Sequence, residues 1–353
     1  MLPKLRSAIR RKLARWYEIN KRDLPWRRSH DPYAIWISET MLQQTQVNTV
    51  IPYYKKFLDH FPTIDALARA PLPQVLRLWS GLGYYRRAAN LRKAGRQIVR
   101  GHAGKIPQDF AQLRALAGIG DYTAGALLSI AFGKAYPAID GNVRRVLSRL
   151  LRITDEGKLR AIAAELVPAK RPGEFNQAIM ELGATVCTPK NQRCSDCALN
   201  SLCASRSSPD VSALGSRTPL KFRTVIWPLA IVRRGGKILL RRRGANGLMA
   251  GLWELPGQEL TGQETIAGLF KRELNALRLP RARPTKLGEI RHAITYRRIR
   301  APIYLLDLPA KTEVALPRSH WRWVAPAKLQ EHAISSMTAK AVGLLSAHEK
   351  NFR

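Results

Sequence analysis

The chain has 353 residues, 45% of them hydrophobic, so it is long enough for two domains with ordinary packed cores. Sixty lysines and arginines against 25 acidic residues give a formal net charge of +35, spread along the whole length. A charge of this size repels itself without a polyanionic partner, so we expect nucleic acid; an anionic membrane surface and a merely basic surface are the alternatives. No apolar run reaches the roughly 18 residues that would indicate a transmembrane span.

The N-terminal residues 1–21 are basic and could be taken for an organelle transit peptide. However, they contain Glu18 and continue without a cleavage-like break into Asp23-Leu24-Pro25-Trp26-Arg27. We therefore predict that they form the first helix of a domain. We recognise no signal peptide and expect a cytoplasmic protein.

The pattern of residues 32–61 is mostly helical and contains a candidate acid, Glu39. On such a helix Glu39 has Ile35 and Trp36 on the preceding turn and Leu42 on the following one. Apolar neighbours disfavour the charged carboxylate, so the pKa of Glu39 should rise toward neutrality, as a general acid requires. The alternative is a glutamate whose carboxylate reaches solvent.

Two glycine-containing turns follow. Gly81-Leu82-Gly83-Tyr84-Tyr85 precedes a basic segment, which predicts aromatic side chains at an exposed turn where Tyr84 could stack on bases; ordinary core tyrosines are the alternative.

Gly118 and Gly120 lie between predicted helices 109–116 and 122–132, the pattern of a helix-hairpin-helix. Its backbone amides, at the positive end of the second helix, could bind a phosphate.

Asp140 precedes a segment whose apolar residues recur at helical spacing from Val143 to Leu151. It is thus a natural N-cap, a role that is compatible with catalysis.

Cys187, Cys194, Cys197 and Cys203 are all the cysteines of the chain, and they have the spacing C-x6-C-x2-C-x5-C. Disulfides are unexpected in a basic intracellular protein. Four thiolates in one loop suit a tetrahedral sulfur site, but spacing does not separate zinc from an iron-sulfur cluster.

The C-terminal part is predicted to be a separate α+β domain. Residues 205–222 look like a linker, because they are polar and have no periodicity. Strands are predicted at 225–232, 237–241, 286–291, 296–306 and 321–324, and a helix at 263–277. Gly235-Gly236 indicates a hairpin between the first two strands, and Pro228 suggests that the first lies at a sheet edge.

With these motifs taken together, the chain resembles the adenine DNA glycosylases of the MutY family over nearly its whole length. The resemblance rests on the segments 24–27, 38–47, 81–85 and 140–143, on the hairpin, and on the cysteine loop. It implies a mostly α protein: a helical glycosylase domain at 1–204 with a 4Fe-4S cluster on the loop 187–203, then a Nudix-like domain at 223–353. It also implies the substrate, duplex DNA with adenine opposite 8-oxoguanine or guanine, and we expect a monomer.

The same resemblance implies roles for individual residues. Glu39 would protonate adenine at N7, and Asp140 would stabilise the oxocarbenium-like sugar and stay charged because backbone amides favour its anion. The supporting residues it implies are Tyr122 and Asn142 in the catalytic pocket, Arg27, Gln44, Tyr84, Gly118, Gly120 and Glu181 around the DNA, and Thr295 in the C-terminal domain.

Two departures refine this expectation. Endonuclease III enzymes carry a lysine at the position of Tyr122, and a tyrosine cannot form a Schiff base, so we predict a glycosylase without lyase activity. In the Nudix-like segment, Ala276 and Leu277 replace the last two glutamates of the metal-binding box, so we predict binding rather than hydrolysis. The family's Phe-Ser-His triplet is replaced by Ile294-Thr295-Tyr296, where Thr295 keeps only the hydrogen-bonding group of the serine.

Three alternatives remain open from the sequence. One is a bifunctional glycosylase and lyase similar to endonuclease III, and another is a catalytically inactive protein that binds damaged DNA. A third assigns nucleotide hydrolysis to the C-terminal half.

Overall fold

The structure is a computed structural model that describes residues 1–206, 208, 211, 213–215, 221–244, 246–275, 283–312, 314, 316 and 320–351, without the side chains of 274, 275, 350 and 351. It forms two compact units. The first comprises Met1–Arg69 and Asn90–Thr218, and the second comprises Ala70–Ala89 and Pro219–Arg353. The expected domain bounds at 204 and 223 stay a prediction.

The N-terminal part of the chain is helical. Its helices are α1 Pro3–Asn20, α2 Pro32–Leu42, α3 Val47–His60, α4 Ile64–Arg69, α5 Leu72–Leu78, α6 Arg86–Gly101, α7 Phe110–Ala115, α8 Asp121–Ala126, α9 Gly141–Leu151, α10 Glu156–Leu166 and α11 Pro172–Thr185. A π-helical segment, Leu127–Ala131, continues α8. Aspartate side chains accept backbone N–H groups at the first turns of α2, α7, α9 and α10, which is why these helices begin where they do.

One core cluster of the first unit is built from the apolar faces of α1, α9, α10 and α11. Leu13 of α1, Val146 of α9, Leu159 of α10 and Leu182 of α11 are all fully buried there. The apolar residues of α9 recur at the predicted helical spacing, and burying them fixes the start of that helix at Asp140.

The helix-hairpin-helix forms as the glycine pattern predicts. Gly118 has φ +79°, and a Cβ built there would lie 2.8 Å from the Cβ of Asn90, so both conformation and space require glycine. Gly120 is extended and precedes α8, whose first residue is Asp121.

The second unit contains a seven-stranded sheet. Its elements are β1 Arg223–Ile226, β2 Leu229–Arg234, β3 Lys237–Arg242, β4 Trp253–Glu254, α12 Ile266–Asn275, β5 Thr285–Ile294, β6 Arg297–Leu308, β7 Trp321–Val324 and α13 Ser336–Asn351. The strand order is β1-β6-β2-β3-β4, with β5 paired to β6 and β7 paired to β3. The predicted hairpin at Gly235-Gly236 joins β2 and β3, and both glycines have positive φ.

Two expectations for this unit need correction. The strand expected at 225–232 is split around Trp227-Pro228 into β1 and β2, because proline has no N–H for the ladder. Both pieces pair with β6, and β2 also pairs with β3, so placing the whole strand at a sheet edge was wrong. The helix α13 was not predicted, although Met337, Ala341 and Leu345 repeat every four residues and are buried.

In the described part of the chain, no helix is long and apolar enough to cross a membrane.

Candidate active site

An open cavity of about 980 Å³ in the first unit brings most of the expected site residues together. Its lining includes the expected catalytic residues Glu39, Tyr122, Asp140 and Asn142, and the expected DNA-contacting residues Arg27, Gln44, Gly118, Gly120 and Glu181. Residues from α2, the hairpin, the N-terminus of α9 and α11 therefore face one space. Tyr84 and Thr295 belong to the second unit.

Glu39 lies in the most buried helix of the site, and only 6% of it is exposed. Burial raises the pKa of its carboxyl from an ordinary 4.5 to about 7, despite a hydrogen bond from the Tyr122 hydroxyl that lowers it. The nearby carboxylate of Asp140 raises it further, and Arg27 lowers it. The carboxyl therefore does not reach solvent as the alternative interpretation required, and it holds a proton near neutral pH.

Tyr122 is the hydrogen-bond partner that orients Glu39. It lies in the first turn of α8, directly after the hairpin, and its hydroxyl also approaches the Met180 sulfur at 3.5 Å. Burial raises the pKa of Tyr122 well above its ordinary value, and the adjacent carboxyl groups of Glu39 and Asp140 act in the same direction. Tyr122 is thus a neutral donor to Glu39.

Asp140 caps α9, as its position in the sequence indicates. Its Oδ1 accepts the Val143 N–H at 2.7 Å, and its Oδ2 accepts the Asn142 side-chain amide at 2.7 Å. These bonds lower its pKa as expected, but burial outweighs them and leaves the pKa above its ordinary value. The expectation that amides alone set the charge of Asp140 was therefore incomplete, because it left out the cost of burying the carboxylate.

Asn142 is held in turn by Arg145. The Arg145 guanidinium donates to the Asn142 Oδ1 at 2.8 Å, to the Gly183 carbonyl at 2.7 Å and to the Cys187 carbonyl at 2.7 Å. The Asn142 oxygen is therefore occupied by Arg145, and its amide nitrogen is turned toward Asp140.

Glu181 and two arginines form a charged cluster at the cavity wall. Glu181 is 1% exposed, and it accepts from Arg22 at 2.6 and 2.9 Å and from Arg27 at 2.8 Å. Burial alone would raise the pKa of Glu181, but these hydrogen bonds outweigh it and lower the pKa to about 2. Arg22 was not predicted from the sequence, because it is distant from Glu181 along the chain and contacts it only in the folded structure.

Gln44 and the hairpin line the same cavity. Gln44 has φ +60° in the loop between α2 and α3, a strained conformation that turns the chain there. Beside the hairpin, Asp121 pairs with Arg114 at 2.7 Å and with Arg160 at 2.8 Å. Two guanidinium groups are thereby held next to the turn that contains Gly118 and Gly120.

The Gly81–Tyr85 turn exposes one tyrosine and buries the other. Tyr84 is 43% exposed with φ +48°, whereas Tyr85 belongs to the core. The Arg87 guanidinium lies 5.4 Å from the ring centroids of both Trp79 and Tyr84. The Trp79 indole and Arg87 also donate to the Gly83 carbonyl at 3.1 and 3.2 Å. The exposed ring of Tyr84 is therefore held by its neighbours.

The cysteine loop follows α11. Cys187, Cys197 and Cys203 are partly buried against the core of the first unit, and Cys194 is exposed. Burial raises the pKa of Cys197 to about 11, and the other three thiolates are near enough to raise it as well. No three His, Cys, Asp or Glu residues in the described ranges are arranged to hold a single metal ion.

In the second unit, arginines pair with Glu264 and Glu273, which fall close to the metal-binding box of the family, and with Glu254, which precedes it. Glu254 accepts from Arg241 at 3.0 Å and from Arg243 at 2.8 Å, and Glu273 accepts from Arg241 at 2.5 Å. Glu264 pairs with Arg272. The last two box positions, Ala276 and Leu277, lie outside the described residues.

Thr295 lies at the β5–β6 turn with φ +54°, and its hydroxyl donates to the Ile294 carbonyl.

Comparison with known proteins supplies independent information. Residues 37–169 match the HhH-GPD superfamily of base excision DNA repair proteins, and residues 229–343 match the NUDIX domain. The adenine DNA glycosylase of Homo sapiens is 36% identical over 399 residues, 95% of this chain and 73% of the human protein. That of Buchnera aphidicola subsp. Schizaphis graminum is 44% identical over 196 residues, 53% of this chain and 56% of that protein.

Among solved structures, a thermostable thymine-DNA glycosylase aligns with a TM-score of 0.55 at 27% identity, covering 57% of this chain and 97% of that chain. The matches confirm the predicted fold class, a helical helix-hairpin-helix glycosylase domain followed by a Nudix-like α+β domain. Given the identity to the human protein and the share of it that is covered, this chain belongs to the adenine DNA glycosylase family.

Proposed function

We propose that this enzyme removes adenine from mispairs in duplex DNA by hydrolysing the N-glycosidic bond, and that it leaves an abasic site without cutting the strand. The observation that carries the proposal is the convergence of a protonated Glu39 and a capped Asp140 on one cavity beside a helix-hairpin-helix. The names of the relatives agree with the target base.

The reaction follows from these two carboxyl groups. Glu39 donates its proton to N7 of adenine, which then departs with the electron pair of the C1′–N9 bond. The Asp140 carboxylate stabilises the positive charge that develops on the sugar. Water then adds to C1′ and releases a proton to a carboxylate. Proton transfer by a positioned side chain contributes about 100- to 10,000-fold.

The absence of a lyase step rests on Tyr122. Strand cleavage by the endonuclease III route requires an amine that bonds covalently to C1′, whereas Tyr122 offers only a neutral hydroxyl that already donates to Glu39. Wild-type protein incubated with substrate and borohydride should therefore form no covalent DNA adduct at a level matching turnover. Such an adduct would favour the bifunctional alternative.

Access to the base requires that adenine leave the stack, at a cost of a few kcal/mol. We propose that Gln44 and Tyr84 fill the space left in the duplex, while the amides at Gly118 and Gly120 hold a phosphate. Arg27 is directed by Glu181 at the cavity wall, where its remaining N–H groups can meet the base. Since both carboxylate oxygens of Glu181 are engaged by arginines, Glu181 acts mainly by orienting them.

We further propose that Cys187, Cys194, Cys197 and Cys203 hold a 4Fe-4S cluster. The donor set fits, because four thiol groups lie in one loop, close enough to disfavour one another's thiolate form. A bound cation would favour the thiolate form that the four cysteines otherwise disfavour in one another. When bound, the cluster would tie the loop into one rigid unit. Iron and acid-labile sulfide measured per protein, with a Cys197→Ser control, test this proposal.

For the Nudix-like unit we propose recognition of the base opposite adenine, with 8-oxoguanine preferred. Hydrolysis is the weaker alternative, since Glu254, Glu264 and Glu273 are already paired with arginines and would have to give up these partners to bind magnesium. Pyrophosphate release from 8-oxo-dGTP with magnesium would support hydrolysis.

We also propose that the two domains comprise residues 1–204 and 223–353, which limited proteolysis tests. We propose in addition that the protein is a monomer, which light scattering tests.

The decisive variant for catalysis is Glu39→Gln, which keeps the shape of the side chain and removes its proton. If the protein is an enzyme that uses Glu39, this variant binds the mispair and does not release adenine. Excision at the wild-type rate would overturn the assignment of Glu39. A wild-type protein that binds and releases no base would support the inactive damage-binding alternative.

A further inference from the structure

A buried asparagine, Asn176, lies outside the lining of the active-site cavity. Asn176 is in α11 and is 2% exposed. Its amide nitrogen donates to the Ser129 hydroxyl at 2.8 Å and to the Tyr136 carbonyl at 2.8 Å, and its oxygen accepts the Ala138 N–H at 3.3 Å. One side chain thus replaces the hydrogen bonds that a neighbouring strand would give to the loop before Asp140.

The first hydrogen-bond partner of Asn176, Ser129, lies in the continuation of the helix that contains Tyr122. Ser129 lies in the π-helical segment Leu127–Ala131 that continues α8, and its hydroxyl donates back to the Gly125 carbonyl at 2.7 Å. Single π-helical turns inserted in α-helices frequently accompany functional sites. Tyr122 lies in the first turn of α8 and donates to Glu39, so the position of the π-helical segment is linked to the position of the acid.

The second anchor is the irregular loop that leads to Asp140. Tyr136 and Ala138 are held on both sides of Pro137, and Asp140 follows two residues after Ala138. A Cβ at Gly125 would lie 2.1 Å from the Pro137 carbonyl oxygen, so the loop already touches the backbone of α8. A Cβ at Gly173 would lie 2.7 Å from the Ser129 carbonyl oxygen, so α11 touches the π-helical segment as closely. Because these elements are so closely packed, a small displacement of one of them is transmitted to the others.

We propose that Asn176 is a positioning residue that fixes the spacing between Asp140 and the Glu39–Tyr122 pair, by tying the loop 133–140 to the π-helical segment. The inference rests on the proposed function, because it assumes that both carboxyl groups act on one nucleotide. Asn176 is not among the residues that line the active-site cavity.

The test compares Asn176→Ala with Leu159→Ala, a core variant in the same unit that makes a cavity away from the site. Single-turnover adenine release is measured at saturating enzyme, and affinity is measured with a duplex whose adenine cannot be excised. We expect Asn176→Ala to release adenine about 100-fold more slowly, as misplacement of a reacting group does, with affinity changed less than about threefold. Leu159→Ala should lose stability and keep its rate.

The pH dependence of the adenine-release rate separates a positioning role from a purely structural one, because loss of stability alone would not shift it. Tyr122, Asp140 and Arg27 are the groups that face Glu39, and the charge of Asp140 favours the protonated form of the acid. If Asp140 moves away in Asn176→Ala, the fall in rate on the alkaline side should begin at a lower pH than in the wild type. An unchanged profile with a rate equal to that of Leu159→Ala would overturn the proposal.

Should Asn176→Ala fail to fold, Ser129→Ala serves as the second variant, because it removes one anchor and keeps the loop bonds. It should show a smaller loss of rate with the same shift in pH profile, and a wild-type rate and profile would count against the proposal. Failure of the proposed function itself is distinguishable, since the wild-type enzyme would then release no adenine.

Discussion

Replacing the buried Glu39 by glutamine should abolish catalysis and stabilise the protein at the same time. The glutamine keeps the volume of the side chain and an oxygen that can accept the Tyr122 hydroxyl. It removes only the ability to ionise. We therefore expect base release to fall by about 100- to 10,000-fold while mispair binding is retained.

The gain in stability follows from the pKa. The folded state holds the Glu39 proton up to about pH 7, whereas an unfolded chain loses it near 4.5. Between these values the folded state binds more protons, so wild-type stability falls as pH rises and the loss is complete above about pH 7. One pKa unit corresponds to about 1.4 kcal/mol. The difference between a pKa of 4.5 in the unfolded chain and about 7 in the folded one therefore lowers the free energy of unfolding by about 3 kcal/mol. Glu39→Gln avoids this loss.

Thermal unfolding of both proteins at pH 5 and pH 8.5 measures the effect. The difference in Tm between variant and wild type should be larger at pH 8.5 by roughly 6–12 °C. Glu18→Gln, at an exposed position, is the control and should give the same small difference at both pH values. Equal Tm differences at both pH values for Glu39→Gln would mean that burial does not hold Glu39 protonated.

Four further changes test other parts of the site. Tyr122→Phe removes the hydrogen bond that lowers the pKa of Glu39, so the alkaline fall in base-release rate should move to higher pH. Glu181→Gln leaves two arginines uncompensated and should cost about 3 kcal/mol in denaturant unfolding at pH 7, with a smaller cost near pH 2, where the wild-type carboxylate is itself protonated. Arg87→Lys keeps the charge and loses the flat contact with Tyr84, so the affinity for mispaired DNA should fall about tenfold in a binding titration, and an unchanged affinity would contradict the role. Cys197→Ser should lower bound iron and Tm together, and full iron content would contradict the proposed ligand set.

Local chemistry explains which parts of the site the sequence predicts. Apolar residues one turn before Glu39 indicate a buried acid, and the glycine pattern at Gly118 indicates a tight turn, because each effect acts within one helix or one turn. The N-cap role of Asp140 and a sulfur site at the four cysteines also follow from local patterns. The resemblance adds the catalytic role of Asp140 and the choice of an iron-sulfur cluster over zinc.

The remaining features depend on residues that are distant in sequence. Arg22 reaches Glu181 and Asn176 reaches Ala138 only after α11 has packed, so no spacing along the chain reveals either contact. The pKa of Asp140 likewise depends on how deeply the loop is buried. Pro228 shows a local rule with a partly expected outcome, since the chain interrupts the strand, and only its first piece, β1, stands at an end of the strand order.

Adenine excision and recognition of the opposite base are both measured by single-turnover release of adenine from duplexes that differ only in the base opposite adenine. With 8-oxoguanine, guanine, cytosine and thymine at that position, we expect the fastest release with 8-oxoguanine, slower release with guanine, and little from the other two. Each product should be an abasic site in an uncut strand. Equal release from all four duplexes would contradict recognition of the opposite base, and no release from any of them would contradict the assignment as an adenine glycosylase.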